Sequence, residues 1–223
     1  MSVRHLRTWL AVGSALLLAA CGSSSSSSPS STSTSAAGSA PAQTSTSAGA
    51  IGFEGVAIEN GTELAPASTT QTGIVDGISC APIEQLAYHI HAHLSVFDNG
   101  SLWSLPGGVG IPGSVVEQTN EGPVAFGGDC YYWLHTHAPD GVIHVESPTA
   151  RIYTLGDFFD IWHQPLSATQ VASVKGKVTA VVNGKPWTKG PRTIPLLPHA
   201  VIQLNVGSPT APFQSVSWAG TQL

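Results

Sequence analysis

The chain has 223 residues, 42% hydrophobic and only 9% charged, with a net charge of −5 and nine histidines. From residue 51 onward thirteen acidic residues stand against six basic ones, a net −7, which excludes a surface built to neutralise nucleic-acid phosphates.

The first fifty residues differ from the rest. Arg4 and Arg7 precede an apolar run, Thr8 to Ala20, too short to span a bilayer as a permanent helix. This is the charged and hydrophobic pattern of a signal peptide over residues 1–20. The run ends Leu18-Ala19-Ala20-Cys21, which resembles the lipobox of bacterial lipoproteins. That resemblance implies lipidation of Cys21, anchorage to a bacterial membrane and a periplasmic or cell-surface location. Gly22, rather than Asp, after the cysteine points by the same resemblance to the outer membrane in a Gram-negative cell. Residues 21–50 are dominated by Ser, Thr, Ala, Gly and Pro without a charge, and bury too little to repay the entropy of ordering. They read as a tether with a reach of about 30 Å. Residues 51–223 form a single domain.

In that domain, Ile51 to Ser79 holds one or two short strands, and Ala81 to Gln85 a turn. Cys80 and Cys130 are an even pair in an exported chain, which predicts a disulfide, with thiolate metal ligation as the competing reading. Leu86 to Phe97 is the clearest strand. Ile90, Ala92, Leu94 and Val96 take one face, while His89, His91, His93 and Ser95 take the other. Asn99-Gly100 makes a hairpin turn to a return strand at 102–105, and Pro106 to Gly113 is a loop. Tyr131 to Glu146 is a second hairpin, with His135 and His137 alternating on one strand, a turn at Ala138-Pro139-Asp140-Gly141, and His144 and Glu146 alternating on the next. The one helix spans about 155–164, capped by Thr154 and ended by Pro165. A third hairpin turns at Asn183-Gly184, a strand starts at Ala200, and a last one is expected near Phe213 to Trp218. Short strands and Asn-Gly turns with one helix predict a mainly β fold, an antiparallel sandwich or small barrel.

Six histidines fall in two stretches, and imidazole suits zinc, copper, iron and nickel. His-x-His on a strand sends both rings to one side, roughly 6–7 Å apart, within chelating reach of one ion. His91, His93, His135, His137 and His144 are therefore the candidate metal ligands, with His89 and His199 as additional ones. His163, at the end of the helix, reads as a packed residue, and Tyr131, Tyr132 and Trp133 as core or pocket wall. Glu146 and Asp140 are candidates for a ligand or for an acid/base beside metal-bound water. Copper or zinc fits better than iron. Met1 is the only methionine, which excludes a Met axial ligand.

The pairs depart from the cupin pattern, which places a glutamate four or five residues after His-x-His, where Gly141 and Val142 stand. The run Leu134-His135-Thr136-His137, then Asp140-Gly141-Val142-Ile143-His144-Val145-Glu146-Ser147, then Leu155-Gly156-Asp157-Phe158-Phe159, resembles a motif of uncharacterised His-rich exported bacterial and archaeal proteins. The resemblance covers about residues 88–207 and implies no activity. The expectation is a lipid-anchored domain that binds copper or zinc in metal handling. The alternatives are a metalloenzyme (hydrolase, lyase or oxidoreductase) with an open metal position and a small-molecule substrate, and a structural lipoprotein without metal.

Overall fold

The computed structural model describes residues 49–223; the expected signal peptide, Cys21 and nearly all of the expected tether lie outside the described residues. The organising strand is β1 (Tyr88–Asp98), whose residues from His91 to Phe97 are buried on both faces. Ala92, Leu94 and Val96 enter the hydrophobic core. The opposite face carries the histidines. Asn99 and Gly100 turn the chain at φ 48° and 82°, conformations that Asn and Gly accept cheaply, into the antiparallel β2 (Ser101–Ser104).

The second hairpin comprises β3 (Leu134–His135) and β4 (Val142–Ser147). The helix α1 (Leu155–Trp162) follows, then β5 (Val178–Val182), β6 (Lys185–Trp187) and β7 (Ala200–Val206). One side of β1 is divided: β4 pairs with its first half and β2 with its last residues. The other side pairs with β7, and β5 and β6 complete the sheet beyond it. The fold is mainly β and sandwich-like with one helix, and no closed barrel forms among the described residues.

The sheet is mixed rather than wholly antiparallel, because β1 and β7 run parallel, Ala92 opposite Ala200 through Asp98 opposite Val206. Both strands are central and covered on both faces, the environment in which parallel pairing is found. The core face of β7 supplies Ile202, Leu204 and Val206. Its other face supplies Gln203 and Asn205, which explains the one misplaced strand. Residues 211–218 lie against β7 without strand pairing. Gln203 Oε1 accepts from Gln214 N at 2.8 Å and Asn205 Oδ1 from Ala211 N at 3.0 Å, so side chains replace the ladder. Pro209 and Pro212 have no amide to offer one.

Helix α1 starts at a capping box: Thr154 Oγ1 accepts from Asp157 N, and Asp157 accepts from Thr154 N at 2.8 Å. It stops two residues short of the expected end. His163 takes a left-handed conformation at φ 60° and caps the helix by donating to the Asp160 carbonyl. Leu155, Phe158, Phe159, Ile161 and Trp162 are all fully buried, worth about 1.5–3 kcal/mol each against exposure. Cys80 and Cys130 form a disulfide, not a thiolate pair, tying the segment before β1 to the segment before β3. Beside it Cys80–Ala81 pairs antiparallel with Tyr131–Tyr132.

Candidate metal centre

Register assembles the site. In the β1/β4 pair His91 lies opposite His144 and His89 opposite Glu146; in the β3/β4 pair His135 lies opposite His144. Directly opposed residues have their Cβ atoms about 4.5–5.5 Å apart. Three strands thus carry a transverse row, His91–His144–His135, with ring centroids 4.5 Å and 5.2 Å apart. All three rings and Glu146 are buried.

Four donor atoms close into a ring. His89 Nε2 lies 3.0 Å from His91 Nε2, and His91 Nε2 lies 3.2 Å from His144 Nδ1. His144 Nδ1 lies 3.1 Å from Glu146 Oε1, which returns to His89 Nε2 at 3.0 Å. A tetrahedral ion with bonds of about 2.0–2.1 Å sets its donors about 3.3–3.4 Å apart. The four neighbouring donors therefore stand within a few tenths of an ångström of that spacing. The remaining nitrogen of His144, Nε2, bonds Glu54 Oε1 at 2.6 Å, which aims Nδ1 at the other three donors.

The second hairpin adds two donors of another kind. His135 Nδ1 donates to the Tyr132 carbonyl at 2.8 Å and His137 Nδ1 to the Ala125 carbonyl at 3.0 Å. A carbonyl only accepts, so each bond places the proton on Nδ1 and leaves Nε2 with a lone pair. His135, His137 and His144 bring donors within 4.8 Å of one another, and so do Glu84, His135 and Glu146. Glu84 Oε1 is 3.3 Å from His137 Nε2 at the exposed rim. His135 Nε2 and Glu146 Oε2 are buried without a hydrogen-bond partner. Tyr131 walls the site, its ring 5.7 Å from that of His135. Behind His135 runs the Pro106–Gly113 loop, where Gly110 has φ 74° and its carbonyl accepts from Tyr132 N at 2.8 Å. A Cβ on Gly110 would stand 2.9 Å from the Cβ of His135. The loop braces a ligand from behind.

The electrostatics keep two of the buried imidazoles neutral. Burial, with neighbouring His144 and His89, drives His91 down to about 3. Burial and His144 hold His135 well below its ordinary value. Both are neutral imidazoles at physiological pH, the form that binds metal. His144 is the exception: burial disfavours its charge, yet hydrogen bonds to Glu146 and Glu54 outweigh this and raise it to about 10. Burial would raise Glu54 too, but His144 outweighs it and holds the carboxylate below its ordinary value. Asp140 is pushed well above its ordinary value by burial and by the Glu54 charge.

Of the sequence-predicted ligands, the fold brings together His91, His135, His137 and His144, joined by His89 and Glu146. It sets His93 apart. Two residues along β1, His93 faces the start of β4 at Val142, and packs over Gly141 with its Nε2 3.8 Å from Glu59 Oε1. His93 belongs to none of the donor groups, because the hairpin reverses before a ligand can stand opposite it. His199 also stands outside the groups, its ring stacked on Trp218 at 4.7 Å and its amide donating to the His91 carbonyl at 2.7 Å. Asp140 is a turn residue, its Oδ1 accepting from Val142 N at 3.1 Å, and belongs to none of the donor groups.

Three carboxylates gave no signal in the sequence: Glu54, Glu59 and Glu84. Each is a single acid in a segment without strand alternation. Glu54 reaches His144, and Glu59 reaches His93, because the segment around Ile51–Asn60 folds over the polar face of β1, anchored by Glu59 N on the Pro139 carbonyl at 2.8 Å. Compared with protein-family models, curated proteins and solved structures, the chain gives no significant match.

Proposed function

We propose that this protein is an exported, lipid-anchored domain that binds a transition metal, copper or zinc, through the His89–His91–His144–Glu146 group, and serves in metal handling. The observation that carries the reading is the ring of four donors spaced at 3.0–3.2 Å, three imidazoles and one carboxylate. Nitrogen-rich donor sets favour copper and zinc over magnesium or calcium, and copper over zinc in intrinsic affinity. The lipobox-like Leu18-Ala19-Ala20-Cys21 and the Cys80–Cys130 disulfide support export to an oxidising compartment, and the uncharged run after Cys21 supports a membrane-tethered domain.

A second reading, a metalloenzyme with an open coordination position, is favoured by Glu84 and His137 at the exposed rim of the group. There the metal would supply Lewis acidity, and Glu84 would hold a proton at Oε1.

Metal analysis of the mature protein, purified without an affinity tag and reloaded with copper and with zinc, tests the proposal. Stoichiometric metal in the wild type, lost in His91→Ala/His144→Ala, is the expected result; no stoichiometric metal with either ion overturns it. Mass spectrometry of the mature N-terminus tests the anchor, with a diacylated Cys21 expected and an unmodified one contrary.

A further inference from the structure

We infer that the centre holds two metal ions, bridged by the carboxylate of Glu146. This rests on the metal-binding reading above and extends it.

Donor counting comes first. Two donors on one ion with bonds of about 2.0–2.2 Å stand at most about 4.4 Å apart. The His89–His91–His144–Glu146 donors meet as one set within 4.8 Å, and His135 and His137 meet His144 in another, but the two sets do not merge into one. A single ion seated among the first four therefore leaves the second hairpin's nitrogens unused. Those nitrogens are prepared nonetheless: both Nδ1 protons are fixed by backbone carbonyls, and both Nε2 lone pairs face the site.

The unpartnered atoms come second. Glu146 Oε1 belongs to the four-donor ring, while its Oε2 is buried with no partner. His135 Nε2 is fully buried with no partner, 3.9 Å from Glu146 Oε1. Leaving a buried polar atom unsatisfied is costly, so two in a pocket already lined by donors mark a ligand position. A carboxylate offers lone pairs on both oxygens and spans two ions about 3.5–4 Å apart. His144 cannot play that part as placed, because Glu54 holds its second nitrogen. The second ion is then held by Glu84, His135 and Glu146, whose donors lie within 4.8 Å of one another, so that Glu146 belongs to both groups. His137, whose Nε2 lies 3.3 Å from Glu84 Oε1, stands beside that group at the partly exposed rim.

The test is the metal count of the whole mature chain, equilibrated with zinc or copper(II), freed of excess ion and assayed for metal and protein. Two ions per chain are expected. His135→Gln should reduce the count to one, and so should His89→Ala/His91→Ala, each removing a different ion. Loaded with copper(II), the wild type should show a half-field electron paramagnetic resonance transition and less signal than its copper content, since two coppers so close couple their spins. His135→Gln should show the full signal of one isolated copper. One ion per chain in the wild type, with full uncoupled copper signal, overturns the two-ion inference and leaves the metal-binding proposal standing; no ion at all overturns both. The wild-type count decides between these even if a variant fails to fold.

Discussion

Replacing Glu59 by glutamine tests the division of β1's polar face into two environments. His91 faces the metal cluster, whereas His93 faces a cavity of about 600 Å³ lined in part by Val56, Ile58, Phe97 and Leu102, with Glu59 at its wall. Glu59 Oε2 has no partner, and burial raises the carboxyl from 4.5 to about 8. Between those values the native state keeps a proton that the unfolded chain has released, so stability falls as pH rises through the window. Each unit costs about 1.4 kcal/mol, which makes about 4 kcal/mol at pH 7.5, three units above the unfolded value, as an upper figure. Glutamine fills the same space and titrates nothing. His93, lowered by burial to about 4, acts with the opposite sign and only below its unfolded value of 6.5, so it is silent at pH 7.5. Urea denaturation of chelator-treated wild type and Glu59→Gln at pH 4.5 and 7.5 isolates the effect. The expected result is a gain of about 2–4 kcal/mol at pH 7.5 that nearly vanishes at pH 4.5. A difference of equal size at both pH values, or a less stable variant at pH 7.5, would refute the burial of an uncompensated carboxyl there.

Other substitutions probe the scaffold and the ligand supports. Changing both Cys80 and Cys130 to serine frees a loop closed over 50 residues, and chain entropy puts the loss at about 4 kcal/mol, measurable as a fall in the urea midpoint. Gly110→Ala forces a side chain into a left-handed backbone, costing about 1–2 kcal/mol, and pushes on His135. It should also weaken metal binding about 10- to 100-fold in competition with a chelator, as expected when the support of a ligand is lost. Glu54→Gln removes the charge that orients His144 and should weaken binding by a similar factor, with little change in circular dichroism. Thr154→Ala removes one half of the capping box and should cost about 1 kcal/mol in thermal unfolding without altering metal content.

Alternation and turn chemistry made much of this fold legible. The period of two along residues 88–98 separates Leu94 and Val96 from His89 and His91, and Asn99-Gly100 and Asn183-Gly184 turn where their tolerance of positive φ allows. Thr154 caps the helix because its hydroxyl and Asp157 satisfy each other's amides. What could not be read was register between distant strands. Alternation predicts that His91 and His93 share a face, but not that β4 begins at Val142, so that His144 pairs with His91 while His93 meets only the reversing hairpin. Nor does periodicity mark an isolated acid: Glu54 arrives from a segment with no pattern, 90 residues from His144 in sequence. The final segment misled for the same reason, since its apolar residues suggest a strand while Gln203 and Asn205 bind its backbone from the side.

The central claim is that His89, His91, His144 and Glu146 form a preassembled metal site. Its most direct test is isothermal titration of tag-free, chelator-stripped protein with zinc and copper(II), comparing wild type with His91→Ala/His144→Ala. Saturable stoichiometric binding in the wild type, weakened at least 100-fold in the double variant while the fold persists by circular dichroism, is the predicted result. Wild-type binding that is substoichiometric, or equally tight in the double variant, would contradict it.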